Sequence, residues 1–207
     1  MAVHLVEHPL VQDTLLILRN ERTEAAIFRR MATRISVLLA VEALRDLPTV
    51  PSSVMTPMGE AGGRRIGADV VVVPVLRSGL GMLDAVLELL PSARVGHIGL
   101  QRDETTAVAS QYYAKLPHGL EHSYVLMIDP MLATGGSAAA ALELLQHAGA
   151  HDIRILCIVA APEGIALLER RFPDIRIYTP VIDQGLNDRK FIVPGLGDFG
   201  DRLYGTL

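Results

Sequence analysis

Residues Asp129–Ser137 read DPMLATGGS and follow the apolar run SYVLMI. An acid closes the run, two glycines make a turn, and the hydroxyls of Thr134 and Ser137 flank it. A helical apolar pattern begins at Ser137. Unpaired N–H groups and the dipole at a helix N-terminus attract anions. Glycines let such groups converge without side-chain obstruction. The stretch is therefore a candidate phosphate cradle, with Asp129 beside it to accept hydrogen bonds from sugar hydroxyls. An ordinary capped helix after a Gly-Gly turn would use the same residues. No Lys follows the glycines and the G-x-G-x-x-G spacing is missing, which argues against a Walker A loop and a dinucleotide fingerprint.

Two further stretches carry chemistry. VLRSGLGM (Val75–Met82) places Arg77 at the end of another apolar run, before Gly79 and Gly81. Arg102 holds a similar place after the next run. An arginine leaving a strand end beside a glycine turn can clamp an anion with two parallel hydrogen bonds. One cradle and two arginines favour a substrate with two separated phosphate groups. PGLGDFGDR (Pro194–Arg202) frees backbone at Gly195, Gly197 and Gly200, and offers Asp198 and Asp201 as metal ligands. Exposed backbone there could read the edge of a flat, uncharged heterocycle; an acidic loop without a ligand would look the same. The histidines form no ligand cluster, and there is no nucleophile elbow.

The elements that must position these residues follow from periodicity. Pro9 near a first turn and the spacing of Ile27, Met31, Ile35, Leu38 and Leu39 predict two helices, the second capped by Thr23. Residues 46–68 are rich in Pro and Gly and read as loop or weak strand. From Asp69 the pattern changes. DVVVVPVL, ARVGHIGL, SYVLMID, IRILCIVAA and IRIYTPVI read as strands, with helices over Gly79–Leu90, Ser137–Ala148 and Glu163–Phe172. That alternation predicts an α/β domain with a mostly parallel central sheet flanked by helices. Residues 101–122 do not fit the rhythm and read as a lid or an excursion. The tail reads as loop with many glycines. One domain over 1–207 is expected: an N-terminal helical arm (1–68), an α/β core (69–182) and a C-terminal hood (183–207).

Composition bounds the function. Half of the 207 residues are hydrophobic, enough for a sizeable core, and the net charge of −4 argues against a general nucleic-acid binder. Only Lys115 and Lys190 are lysines among 19 basic residues; arginine suits a bidentate grip on phosphate and carboxylate, but base composition of the genome is the expected main cause of the bias. The single cysteine, Cys157, lies in an apolar run and reads as a buried thiol. No run reaches the ~18 apolar residues of a membrane span and no signal peptide is evident, so a cytoplasmic location and no membrane partner are expected.

Together VLRSGLGM, DPMLATGGS, VAAPEGI, IDQGLN and IVPGLGDFGDR resemble the signatures of the uracil phosphoribosyltransferase family, in order and over nearly the whole chain. The resemblance implies a type I phosphoribosyltransferase fold. It implies conversion of uracil and 5-phospho-α-D-ribose 1-diphosphate (PRPP) to UMP and diphosphate with Mg2+. It assigns PRPP to Arg77, Arg102, Asp129, Pro130, Met131, Leu132, Ala133, Thr134, Gly135, Gly136, Ser137 and Asp198. Of these, Arg77, Arg102 and Asp129 are the catalytic candidates. Uracil is assigned to Ile192, Gly197, Asp198 and Phe199, and magnesium is held mainly through PRPP, with Asp198 as its candidate protein ligand. A homo-oligomer (dimer or tetramer) and a GTP effector belong to the same implication. The choice of uracil comes from the family alone.

The chain departs from the expected signatures at four places. Ser78 stands for alanine, Phe191 for tyrosine and Phe199 for alanine, and TTAVASQYY replaces a loop that contains proline. A large ring at Phe199 is expected to tighten the hood or alter base choice. Competing readings are a phosphoribosyltransferase for another base and a PRPP-sensing RNA-binding regulator. The latter needs a basic face, and no lysine-rich strip is present.

Overall fold

The computed structural model describes residues 2–102 and 109–206. In chain order the elements are β1 (Ala2–Leu5), α1 (Pro9–Arg19), α2 (Ala25–Ala43), β2 (Thr49–Thr56), β3 (Gly59–Ile66), β4 (Asp69–Leu76) and α3 (Leu80–Leu89). Then come β5 (Arg94–Val95), β6 (His97–Arg102), β7 (Ala109–Lys115), β8 (Ser123–Ile128), β9 (Met131–Leu132), α4 (Gly136–His147), β10 (Asp152–Leu156) and β11 (Val159–Ala160). The chain closes with α5 (Pro162–Arg171), β12 (Arg176–Thr179), β13 (Gly185–Leu186), β14 (Ile192–Val193) and α6 (Phe199–Tyr204).

The central sheet runs β1-β12-β10-β8-β4-β6-β7, with β5 also paired to β4. Every pairing in it is parallel except β6–β7. Successive residues of a strand point to opposite faces, and here both faces are covered. Val72, Leu126 and Leu156 join a core with α1, α2 and α3, while Val71, Val73, Val125 and Ile155 join one with α4 and α5. This explains the continuous valine run of β4, since a strand buried on both sides needs no polar alternation.

Such a run is apolar in either register, so its ends must fix it. Asp69 lies opposite Ser123 across β4 and β8. The Ser123 hydroxyl donates to Asp69 Oδ2 at 2.5 Å, and Arg94 pairs with the same carboxylate while donating to His118 O at 2.6 Å. A second polar clamp secures α2. Arg154 points out of β10 yet is 1% exposed, donating to Ala43 O at 2.5 Å, pairing with Asp46 and lying 4.9 Å from the Tyr124 ring centroid.

Several sequence expectations are corrected. Thr23 does not cap α2; its hydroxyl donates to Ile17 O at 2.6 Å, and Glu24 precedes the helix without a side-chain cap. Residues 46–68 hold the antiparallel hairpin β2–β3, fully paired from Thr49↔Ile66 to Thr56↔Gly59. β1, unpredicted, edges the main sheet against β12. Within 101–122, β7 adds an antiparallel strand, while 103–108 lie outside the described residues. The tail carries the short pair β13–β14 and helix α6. Cys157 is buried, and burial pushes its thiol up to about 12. Among the described residues no helix is long and apolar enough to cross a membrane.

The hydrogen bond from Arg94, reinforced by Ser123 and opposed by partial burial, holds Asp69 below the usual carboxylate range. A lowered folded value stabilises above the unfolded value of about 3.9 and is lost as pH falls through the folded one. Asp69→Asn should therefore cost about 1 kcal/mol at pH 7. Urea denaturation over a pH series should show that difference shrinking below about pH 4.

Candidate functional site

Strands β8, β4 and β6 are adjacent and parallel, so Asp129, Arg77 and Arg102 leave the sheet at one edge. A cavity of about 810 Å³ opens there, within the size range of small-molecule sites. Its walls include Arg77, Ser78, Asp129, Met131, Ala133 and Ser137 from the strand ends, and Ile192, Gly197, Asp198 and Phe199 from the C-terminal segment. Arg102 ends β6 beside this edge, and its side chain lies outside the described part.

The Asp129–Ser137 loop divides by period. Asp129, Met131 and Ala133 face the cavity, while Pro130 and Leu132 turn inward. Pro130 O accepts from Ile158 N at 2.9 Å and Leu132 O from Ala161 N at 2.8 Å, tying the loop to β11. Thr134, Gly135 and Gly136 form the turn between Ala133 and Ser137, both of which line the cavity. Gly135 has φ +81°, a left-handed conformation that favours glycine, and caps α4. Thr134 Oγ1 accepts from Gly136 N at 3.4 Å. The cradle residues are thus brought together, with backbone rather than side chains at its turn.

A neighbour missed by sequence reasoning supports this turn. A Cβ on Gly164 would lie 2.5 Å from Ala133 O, and one on Gly135 would lie 2.9 Å from Gly164 O. Helix α5 and the loop meet backbone to backbone, which explains the glycine of VAAPEGI. Gly79 and Gly81 also allow close packing. A Cβ on Gly79 would meet Ile128 O at 2.5 Å, and one on Gly81 would meet Leu203 Cδ2 at 2.6 Å. The peptide Leu76–Arg77 is cis.

Arginines fasten the C-terminal segment, among them Arg29, which donates to Leu203 O at 2.8 Å. Arg19 donates to both Asp183 oxygens at 3.0 and 2.6 Å and to Gly195 O at 2.8 Å. Arg202 donates to Leu18 O, Asn20 O and Leu196 O at 2.5–2.7 Å, with its guanidinium 4.5 Å from the Phe28 ring centroid. Leu18 O and Asn20 O lie at the end of α1, where the helix dipole favours a cation. Burial pulls Arg202 below the usual guanidinium value, although a guanidinium stays charged in proteins. Asp198 caps α6 by accepting from Asp201 N at 2.9 Å. Phe199 borders the cavity, but its ring is 1% exposed and packs edge-on against Phe28 at 5.2 Å. The ring thus belongs to the core and packs the C-terminal segment against α2.

Four other wall residues, Gln101, Tyr112, Arg189 and Lys190, were not assigned from sequence; Asp201, read there as a metal-ligand candidate, and Phe191 also line the cavity. Tyr112 could have been suspected from the adjacent tyrosines, and its ring lies over Gly99, where a Cβ would be 2.6 Å from it. Arg189, Lys190 and Phe191 belong to the turn between β13 and β14. Lys190 N donates to Asn187 O at 2.8 Å, and the Asn187 side chain accepts from Arg189 N and Phe191 N. The turn requires φ +64° at Lys190. A lysine there costs about 1 kcal/mol more than a glycine would. Among the described residues no group of three or more His, Cys, Asp or Glu is arranged to hold a metal.

The chain was compared with known proteins. A sequence profile of uracil phosphoribosyltransferase matches residues 5–206. The chain belongs to the uracil phosphoribosyltransferase family. The uracil phosphoribosyltransferase of Dictyoglomus turgidum is 50% identical over 205 residues, covering 99% of each chain. That of Shouchella clausii is 45% identical, covering 99% of this chain and 98% of its own. Among solved structures, the AQ2163 protein from Aquifex aeolicus superposes with a TM-score of 0.93 at 35% identity, over 98% and 97% of the two chains. A hypoxanthine-guanine phosphoribosyltransferase from Bacillus anthracis shares the fold, with a TM-score of 0.52 at 13% identity over 77% and 80% of the chains.

Gly164→Ala tests the backbone contact behind the cradle. Helix propensity alone would favour alanine by about 1 kcal/mol. The blocked approach to Ala133 O should outweigh this and give a net loss of about 1–3 kcal/mol in a denaturation curve. A variant as stable as the parent would show that the two backbones separate at no cost.

Proposed function

We propose that this protein transfers the 5-phosphoribosyl group of PRPP to N1 of uracil, releasing UMP and diphosphate. One observation carries the reading. Arg77, Asp129 and the two ends of the cradle, Ala133 and Ser137, come from neighbouring strand ends to line one cavity together with Ile192 and Gly197–Phe199. Family membership supplies the identity of the base.

In this reading the cradle amides between Ala133 and Ser137 bind the 5-phosphate, and Asp129 accepts from the ribose hydroxyls. Pro130 and Leu132 hold the loop from behind. The bond from C1′ of the ribose to diphosphate oxygen breaks early, leaving an oxocarbenium-like sugar. The N1–C1′ bond then forms and the N1 proton is lost. Charge grows on the departing diphosphate, so Arg77 and Arg102 stabilise the transition state more than the bound substrate. Backbone at Gly197 and Asp198 orients the base edge, beside Ile192. A water in its place would hydrolyse PRPP, so a filled base site protects the sugar.

Magnesium is the implied cofactor. Its usual binding through one or two carboxylates and substrate phosphates fits a cavity that has Asp198 and Asp129 in its walls and no three-ligand cluster among the described residues. Bound with PRPP, it would neutralise charge on the diphosphate. Self-association belongs to the same reading and is supported by exposed apolar side chains on α1 (Leu16) and the β2–β3 hairpin (Met55, Met58). A GTP effector rests on the family resemblance alone, and a cytoplasmic setting on the lack of a membrane-spanning apolar run in the sequence.

The direct test is formation of labelled UMP from labelled uracil and PRPP, with and without magnesium, against a panel of other bases. UMP formed only with PRPP and magnesium is the expected result. Turnover of a purine but not uracil would overturn the assignment of the base. Arg77→Ala should lower kcat about 10²–10³-fold, while circular dichroism and the unfolding midpoint stay near those of the parent.

A further inference from the structure

Lys190 combines three observations. It is the only non-glycine residue at positive φ among the described residues. It lines the main cavity from the turn between β13 and β14. It is also one of two lysines in a chain that uses arginine at every other basic position. A glycine would satisfy the turn without strain, so the turn itself does not call for this side chain. Strained non-glycine positions of this kind cluster at ligand sites, where the observed outlier motivates a functional hypothesis.

Charge suggests the ligand. Among the described residues the cavity walls carry Arg77, Arg189 and Lys190 against Asp129, Asp198 and Asp201. A donor bearing a phosphate and a diphosphate is strongly anionic, whereas uracil is neutral. Three carboxylates would repel that donor unless each cation in the wall opposes them. A lysine also suits a reaching role: a compact ammonium on a flexible stem, with three donors that need no fixed plane.

We propose that Lys190 is a substrate-binding residue, its ammonium gripping the phosphate oxygens of the phosphoribosyl donor from the hairpin side of the cavity. The inference rests on the phosphoribosyl-transfer reading above. It adds to that reading a cation on the segment that otherwise contributes backbone to the base.

Lys190→Gly is the informative variant, because glycine relieves the backbone while removing the charge. Its unfolding midpoint should equal or exceed that of the parent. KM for PRPP should rise about tenfold, with KM for uracil within twofold, and Lys190→Arg should restore most of the loss. Titration of the full chain with inorganic diphosphate should show weaker binding to Lys190→Gly, with a shallower dependence on salt. Parent-like KM for PRPP together with parent-like diphosphate binding in Lys190→Gly would overturn the proposal. So would a rise confined to KM for uracil. If the parent itself forms no nucleotide from uracil and PRPP, the reading of the reaction falls, and the diphosphate titration still decides whether Lys190 binds anions.

Discussion

Parallel pairing is the constraint on which the rest depends. When β8, β4 and β6 lie side by side in the same direction, their carboxyl ends reach one edge, and whatever follows each strand must share that edge. Ligands of open α/β sheets bind in this position for the same reason. Residues separated by dozens of positions, Arg77 and Asp129 among them, thereby border one cavity. The buried valines supply the apolar drive for the sheet, at about 2 kcal/mol for each fully buried side chain. They do not choose its register. That falls to the polar group Asp69–Ser123–Arg94 at the opposite ends of the strands, so a site at one edge is aligned by hydrogen bonds at the other.

Legibility in the sequence followed burial. The strands of the sheet centre, the helices between them and the cradle were readable because continuous apolar runs and helical spacing report burial on two faces or one. β2 and β3 read only as loop or weak strand. Their residues are almost all exposed, and Gly59, Gly62 and Gly63 argue locally against a strand; backbone pairing makes the hairpin, helped by Arg64 donating to Thr49 and the Thr56 hydroxyl donating to Gly59 O. β1 is four residues long and mostly exposed, so it carries no periodic signal. The burial of Arg154 carries no signal in the sequence. It is a charge inside IRILCIVAA, and it is buried because Ala43 O, Asp46 and Asp152 accept from it.

At the site, backbone roles were legible and packing roles were not. The glycines after Asp129 and in PGLGD were read as freeing backbone, and Gly135, Gly195 and Gly197 do adopt positive φ. Gly79, Gly81 and Gly164 have the same letter for a different reason, since each lies where another chain segment leaves no room for a Cβ. One sequence cannot separate these uses, because close approach depends on partners that are distant along the chain. Phe199 shows the converse: a ring expected beside the base is buried against Phe28, so the backbone of its segment, not the ring, is what that segment can offer.

The arginine bias then acquires a structural meaning beyond base composition. Arg19, Arg154 and Arg202 each accept burial by donating to several backbone or carboxylate oxygens at once, which a planar fork of five N–H donors permits and an ammonium does not. Two of the three fasten the C-terminal segment to α1, so the wall that carries Ile192 and Gly197 is held by the same chemistry that stabilises the core. Glu163 adds a further tie by accepting from Leu186 N at 3.0 Å, which links that wall to α5 and, through Gly164, to the cradle. The two halves of the cavity are therefore joined through α5 as well as through the cavity itself. A displacement of the cradle loop would be felt at the β13–β14 turn, because α5 contacts both.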